Sequence, residues 1–317
     1  MSDLTKSAAA PAEAAAGGQL PEPQVKVEKR EKSRSLWSDA WRDLRTNWIF
    51  MVSAVLILLL LVISAFPGLF TSVDPDARDL AGHYLAKPQL GKVFSEGWLG
   101  YDAQGQSVYA RMIYGTRASV MVGLGTTVAV TVFGGLVGLL AGYFGGWMDA
   151  LLSRLTDMFM GIPFLLGAMV MLNAFQERTI LVVIGALAFL GWTQTARVMR
   201  GSVITVKQAD YVLAARALGA GTKRILFKHI LPNAIAPVIV VATISLGVYI
   251  AAEATLSFLG LGLTSGVSWG ADISAGGNSI RVAQHIIVFP SILLSIAVLS
   301  FIMLGEAVRN ALDPKMR

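Results

Sequence analysis

Glu253 is the acid set deepest in a hydrophobic segment, within Ala251-Ala252-Glu253-Ala254-Thr255-Leu256-Ser257. An ionised carboxylate in such a run is costly, so it faces a partner, a cavity or a pathway. Two readings stay open. Glu253, with Ser257 one turn on, lines a translocation route or gate; or its carboxyl is a structural group hydrogen-bonded to a neighbouring helix. Catalytic residues are not expected. There is no phosphate-cradling Gly-Lys-Ser/Thr loop and no nucleophile elbow. The chain has no cysteine, which excludes thiolate metal sites, disulfides and cysteine nucleophiles. His83, His229 and His285 are far apart in sequence, and Asp74, Asp76 and Asp79 lack calcium-loop spacing, so no metal site is expected.

A second stretch points to contact rather than catalysis. Residues 210–221 are Asp-Tyr-Val-Leu-Ala-Ala-Arg-Ala-Leu-Gly-Ala-Gly, followed by residues 222–229 and then Ile230-Leu231-Pro232-Asn233. Ala, Leu and Arg favour a helix over 210–218, with Asp210 as its N-cap. Gly219 and Gly221 end it as a helix C-terminus prefers. Thr222 is placed to cap a second short helix carrying Lys223, Arg224 and Lys228, and Pro232 stands where the next apolar segment begins. Two small helices at a glycine elbow, on a basic loop between apolar spans, suggest a docking element pressed against something outside the membrane.

The elements that position these residues follow from composition. Of 317 residues, 55% are hydrophobic and 15% charged, with mean hydropathy +0.62. Soluble domains carry about a quarter charged residues, and about 20 apolar residues cross a bilayer as a helix. The expected fold is therefore all-α, a polytopic membrane protein with six transmembrane helices. The formal net charge of +6 lies mainly in the tail and in loops on one side, a topology signal before a nucleic-acid one. Residues 1–35 read as a disordered basic cytoplasmic tail, too polar for a signal peptide. Over 36–70 an interfacial amphipathic helix, with Trp37, Trp41, Leu44 and Trp48 at helical spacing, leads into the first span. An external loop takes 71–113. A five-helix core takes 114–308, with spans expected at 118–141, 151–172, 179–196, 233–258 and 284–305.

Within that core, Gly123, Gly134, Gly135, Gly138 and Gly142 allow close helix packing. Gly161-Ile162-Pro163 kinks the third span, and Arg154 with Asp157 reads as a local ion pair. Over 197–232 runs the cytoplasmic loop, where Arg197, Arg200, Lys207, Arg216, Lys223, Arg224 and Lys228 face the single acid Asp210. Residues 309–317 form a cytoplasmic C-terminal tail, so both ends are inside.

Residues 211–220 and 229–233 resemble the EAA loop of the permease subunits of ATP-binding-cassette importers. Leu213 stands where that loop's leading glutamate falls. Residues 142–149 with Arg154, Asp157 and Pro163, residues 253–262 with Ser268-Trp269-Gly270, and residues 309–314 are similar to further segments of the family. Residues 101–106 also match, with Gln106 where an arginine is common. From about Trp41 onward the chain looks like the C-type permease of dipeptide, oligopeptide and nickel importers.

The resemblance implies a type I importer (MetI-like) transmembrane domain in a bacterial cytoplasmic (inner) membrane, in contact with membrane lipid and not with nucleic acid. It implies a homologous B-type permease, two ATPase subunits that hold ATP and Mg, and an external solute-binding protein, with no enzyme activity or cofactor in this chain. Asp210, Tyr211, Ala214, Ala215, Arg216, Leu218, Gly219 and Lys223 would then couple to the ATPase. The cargo would be di- or oligopeptides, with nickel or another small solute as the alternative. Two readings of other classes are an ion-driven secondary transporter, which would show midplane acids in two related halves, and a membrane scaffold whose loop recruits a soluble partner.

Overall fold

A computed structural model describes residues 36–312. The tail expected over 1–35 and the last five residues lie outside the described residues. Among the described residues, regular structure is helical apart from an isolated bridge between Tyr101 and Ser107.

Helix α1, Leu36–Thr46, and helix α2, Trp48–Ala65, are separated at Asn47, whose side chain accepts from the backbone N–H of Ile49 and Phe50. Helix α2 is apolar all round. It buries Ile57, Leu60 and Ile63 and exposes Trp48, Val55 and Leu58, as a helix between protein and lipid does. In α1, Leu44 is buried against Ala307 and Ala311, while Trp41 is half exposed beneath the Arg45 guanidinium, 5.0 Å from its ring centroid. An aromatic ring with one wet side suits an interface.

The segment after α2 is compact. It carries the short helix α3, Leu80–His83, and buries Leu99 and Tyr101. Helix α4 runs Val108–Phe144, 37 residues capped by Ser107. It begins ten residues before the expected span because its first turns, including Arg111, stay helical outside the apolar stretch.

Helices α5, Gly146–Met160, and α6, Phe164–Asn173, replace the expected 151–172 span, with an 82° bend between them. Pro163 has no N–H to donate and disfavours a helical Ile162 before it, so the helix breaks there rather than bending gently. Helix α7, Ile180–Lys207, carries eleven residues assigned above to the loop. Next come α8, Asp210–Ala217, and α9, Thr222–Arg224, then a wide π-type turn over Ile225–Ile230 and α10, Leu231–Ala234. Helix α11, Ala236–Phe258, is followed by α12, Trp269–Gly276, and α13, His285–Leu312. The loop expected over 260–281 thus contains a helix, and the expected tail is helical as far as Leu312.

By length and apolarity α2, α4, α7, α11 and α13 can each cross a membrane, and the bent α5–α6 pair makes a sixth crossing if it is one span. The core sits where α4 meets α7 and α11. Cβ atoms at Gly134, Gly138 and Gly142 would lie 2.4, 2.2 and 2.9 Å from the backbone oxygens of Trp192, Ala196 and Arg200. Only glycine lets α4 and α7 approach so closely. Gly135 points to Met199 at 3.8 Å and does not set that spacing.

Candidate functional site

The polar stretch at 207–232 is anchored from within and exposed outside. Lys207 Nζ donates to the backbone oxygens of Tyr143 at 2.8 Å and Gly142 at 3.3 Å, capping the carbonyl end of α4 with a cation. Val212, fully buried, seats α8 against Val203, Ile225, Ile230 and Val238. Its neighbours face out. Asp210, Tyr211, Leu213, Ala214, Arg216, Leu218, Gly219 and Lys223 are exposed and Ala215 is half-buried. Leu218 is 87% exposed, leaving an apolar tip that none of the described residues covers.

The elbow is a Schellman motif. Gly219 N–H donates to Arg216 O at 3.0 Å and Ala220 N–H to Ala215 O at 3.1 Å. Gly219 has φ +81°, and a Cβ there would meet nothing within 4 Å, so backbone conformation requires the glycine and space does not. Two capping expectations are corrected. Ala209 is the N-cap of α8 and Asp210 its first residue, with no side-chain cap; the Asp210 carboxylate faces the positive end of the helix dipole instead. Gly221, not Thr222, is the N-cap of α9.

Above this loop, ion pairs tie α5 to α7. The Arg200 guanidinium grips both carboxylate oxygens of Asp149, with Nη2–Oδ2 at 2.8 Å. The Arg154–Asp157 pair expected from the sequence does not form. Asp157 takes Arg197 of α7 at 3.4 Å, because the long arginine from the facing helix reaches it.

Glu253 is 1% exposed and Ser257 4%. The Glu253 carboxylate accepts three hydroxyls: Ser257 at 2.7 Å and Ser268 at 2.8 Å on Oε1, and Ser119 at 2.8 Å on Oε2. It therefore joins α4, α11 and the entry to α12 inside this chain. Ser268 lies in Gly266-Val267-Ser268-Trp269-Gly270, which has nucleophile-elbow spacing. However, its hydroxyl is buried on Glu253 and irregular chain precedes it, so it has none of the geometry of a nucleophile. One turn before Glu253, Tyr249 lines a different feature. This is an open cavity of about 560 Å³ walled by Phe159, Phe164, Gln194, Arg197 and Ser245.

Sequence reading missed a further constellation. Arg111, at the start of α4, donates to Asp272 of α12 through Nε at 2.9 Å and Nη2 at 2.6 Å, across 161 positions. Gln106 accepts from Arg111 Nη1 at 2.9 Å. Burial pushes the Asp272 carboxyl up to about 6, although Arg111 pulls the other way. The departure at Gln106 was the available signal, since an arginine there would crowd a second guanidinium against Arg111.

Comparison with known proteins places this geometry in a group. The family model described as binding-protein-dependent transport system inner membrane component matches residues 134–317. The model for the N-terminal TM domain of oligopeptide transport permease C matches residues 35–88. The chain is 33% identical to the oligopeptide transport system permease protein OppC of Bacillus subtilis (strain 168) over 318 residues, covering 100% of both chains. It is 34% identical to the dipeptide transport system permease protein DppC of Alkalihalophilus pseudofirmus, over 89% of this chain and 91% of that one. It is 32% identical to the glutathione transport system permease protein GsiD of Pectobacterium atrosepticum, over 91% and 94%.

Proposed function

This chain belongs to the family of binding-protein-dependent transport system inner membrane components, and we propose that it forms half of the translocation pathway of an ATP-binding-cassette importer for di- or oligopeptides. Its other half is a homologous B-type permease. Two cytoplasmic ATPase subunits hold ATP and Mg and do the hydrolysis, and an external solute-binding protein delivers cargo. The basic stretch 197–228 faces the cytoplasm of a bacterial cell, and both termini lie on that side.

The observation that carries this reading is α8. It is a short helix seated by the buried Val212 beside α7 and the π-type turn, where Lys207 at the end of α7 is tied to α4, with Tyr211, Leu213 and Leu218 uncovered. An exposed apolar tip on a firmly seated element calls for a partner. A groove on an ATPase subunit would take the contact residues from Asp210 to Lys223. Motion of the groove would then reach the spans through α7 and the π-type turn into α11. The open cavity beside Tyr249 becomes a closed passage when a second permease faces it.

The test is a gentle detergent pull-down of tagged protein from its native membrane with mass spectrometry. Recovery of a second permease, ATPase subunits and a solute-binding protein is the expected result. Recovery of this chain alone under several detergents would sink the coupling role of α8.

A further inference from the structure

We propose that the cavity where α4, α12 and α13 meet is a binding site for a primary ammonium group. Resting on the peptide reading above, we assign that group to the free amino terminus of the cargo. The cavity holds about 390 Å³ and is lined by Asp102, Gln104, Gln106, Arg111, Asp272 and Asn278, a volume within the small-ligand range of roughly 300–1,000 Å³.

One oxygen carries the argument. Asp272 is 8% exposed, its Oδ1 takes both Arg111 contacts, and its Oδ2 is buried with no hydrogen-bond partner. A buried carboxylate oxygen without a donor is expensive. Arg111 does not supply that donor: its Nε and Nη2 both go to Oδ1, and its Nη1 goes to Gln106 Oε1 at 2.9 Å, Pro75 O at 3.3 Å and Asp76 Oδ1 at 3.4 Å. Three carboxyl groups, Asp76, Asp102 and Asp272, stand around the one Arg111 guanidinium.

The ligand that suits this oxygen is therefore a cation rich in donors. A primary ammonium has three N–H groups and no acceptor. The side-chain amides of the exposed Gln104 and Asn278 offer further oxygens at the rim, and Val108, Ile286 and Pro290 give the adjoining carbon atoms an apolar wall. A metal ion suits the site less well. Among the described residues no three of His, Cys, Asp and Glu are grouped to hold one. Burial is the main cause of the raised Asp272 carboxyl, and the neighbouring Asp102 and Asp76 add to it.

The first measurement is thermal melting of the complex isolated from the membrane, titrated with propylammonium or with tetramethylammonium at equal ionic strength. Propylammonium is expected to raise the melting temperature, and tetramethylammonium, which has no N–H, is not. Gln104→Lys leaves the Arg111–Asp272 pair intact and brings its own ammonium, so it abolishes the shift. Asp102→Asn keeps an oxygen for the N–H groups of Gln104 and Gln106 and weakens propylammonium binding about tenfold. Equal responses to the two cations, or an undiminished response in Gln104→Lys, overturn the site.

The second measurement is dialanine uptake by the whole transporter. Gln104→Lys is expected to raise the half-saturating concentration about tenfold with subunit composition unchanged. If propylammonium binds but this variant takes up dialanine normally, the site serves a lysine of a docking protein and the cargo assignment is overturned. If wild type takes up no dialanine while propylammonium binds, the peptide reading fails and the ammonium site stands.

Discussion

Gly219 holds φ +81° with open space where a Cβ would go, so Gly219→Ala tests backbone conformation alone. A side chain in the left-handed region costs roughly 1–2 kcal/mol, enough to loosen the elbow without unfolding the spans. Transport per ATP hydrolysed in proteoliposomes is expected to fall while the subunits still copurify. Equal loss of assembly and transport would show that the elbow serves folding instead. Asp272 gives a pH dependence of defined sign. Its folded pKa of about 6 lies above the ordinary carboxyl value of 3.8, so its stabilising contribution is full below about 4 and is lost as pH rises through about 6. The difference amounts to about 3 kcal/mol. Between pH 5 and pH 7.5 the wild-type melting temperature should fall more than that of Asp272→Asn, which cannot ionise. Parallel falls in the two proteins would contradict the shift.

At the scale of elements, the contact of α4 with α7 depends on one row of glycines. Gly138→Leu drives a side chain into Ala196 O and should destabilise the chain by several kcal/mol. Gly135→Ala, facing Met199 across 3.8 Å, should be nearly neutral. Melting temperatures in detergent check both, and a tolerated Gly138→Leu would mean that α4 and α7 can part at little cost. The glycines of this row were legible from spacing, as were the apolar spans and the Gly219 elbow, because each rests on local chemistry. Three other features were not. Helix α7 runs on to Lys207 because backbone hydrogen bonds continue where hydropathy stops. Asp157 chose Arg197 over Arg154 because the facing helix, invisible in one sequence, brings a better-placed cation. Arg111 and Asp272 lie 161 positions apart, and neither has a periodic neighbour that names the other.

At the scale of the whole molecule, two places compete to be the route for cargo. Sequence reasoning left Glu253 and Ser257 either beside it or bonded to a neighbouring helix. The geometry gives Glu253 three hydroxyl partners within this chain, while the open cavity one turn away is walled by Tyr249, Gln194 and Ser245. A buried acid with all its partners at home serves to hold α4, α11 and α12 together; an open wall with polar groups among aromatic ones suits passing solute. The chain contains no cysteine, so single cysteines can separate the two without background. In the assembled transporter, Ser245→Cys should react with a small water-soluble thiol reagent at a rate that changes when ATP is added, because closure alters access to the cavity. Ser257→Cys, 4% exposed in the parent residue, should stay unreactive in every state. Labelling at 257 with silence at 245 would return the route to Glu253, and its serine partners would then be a gate that opens during the cycle.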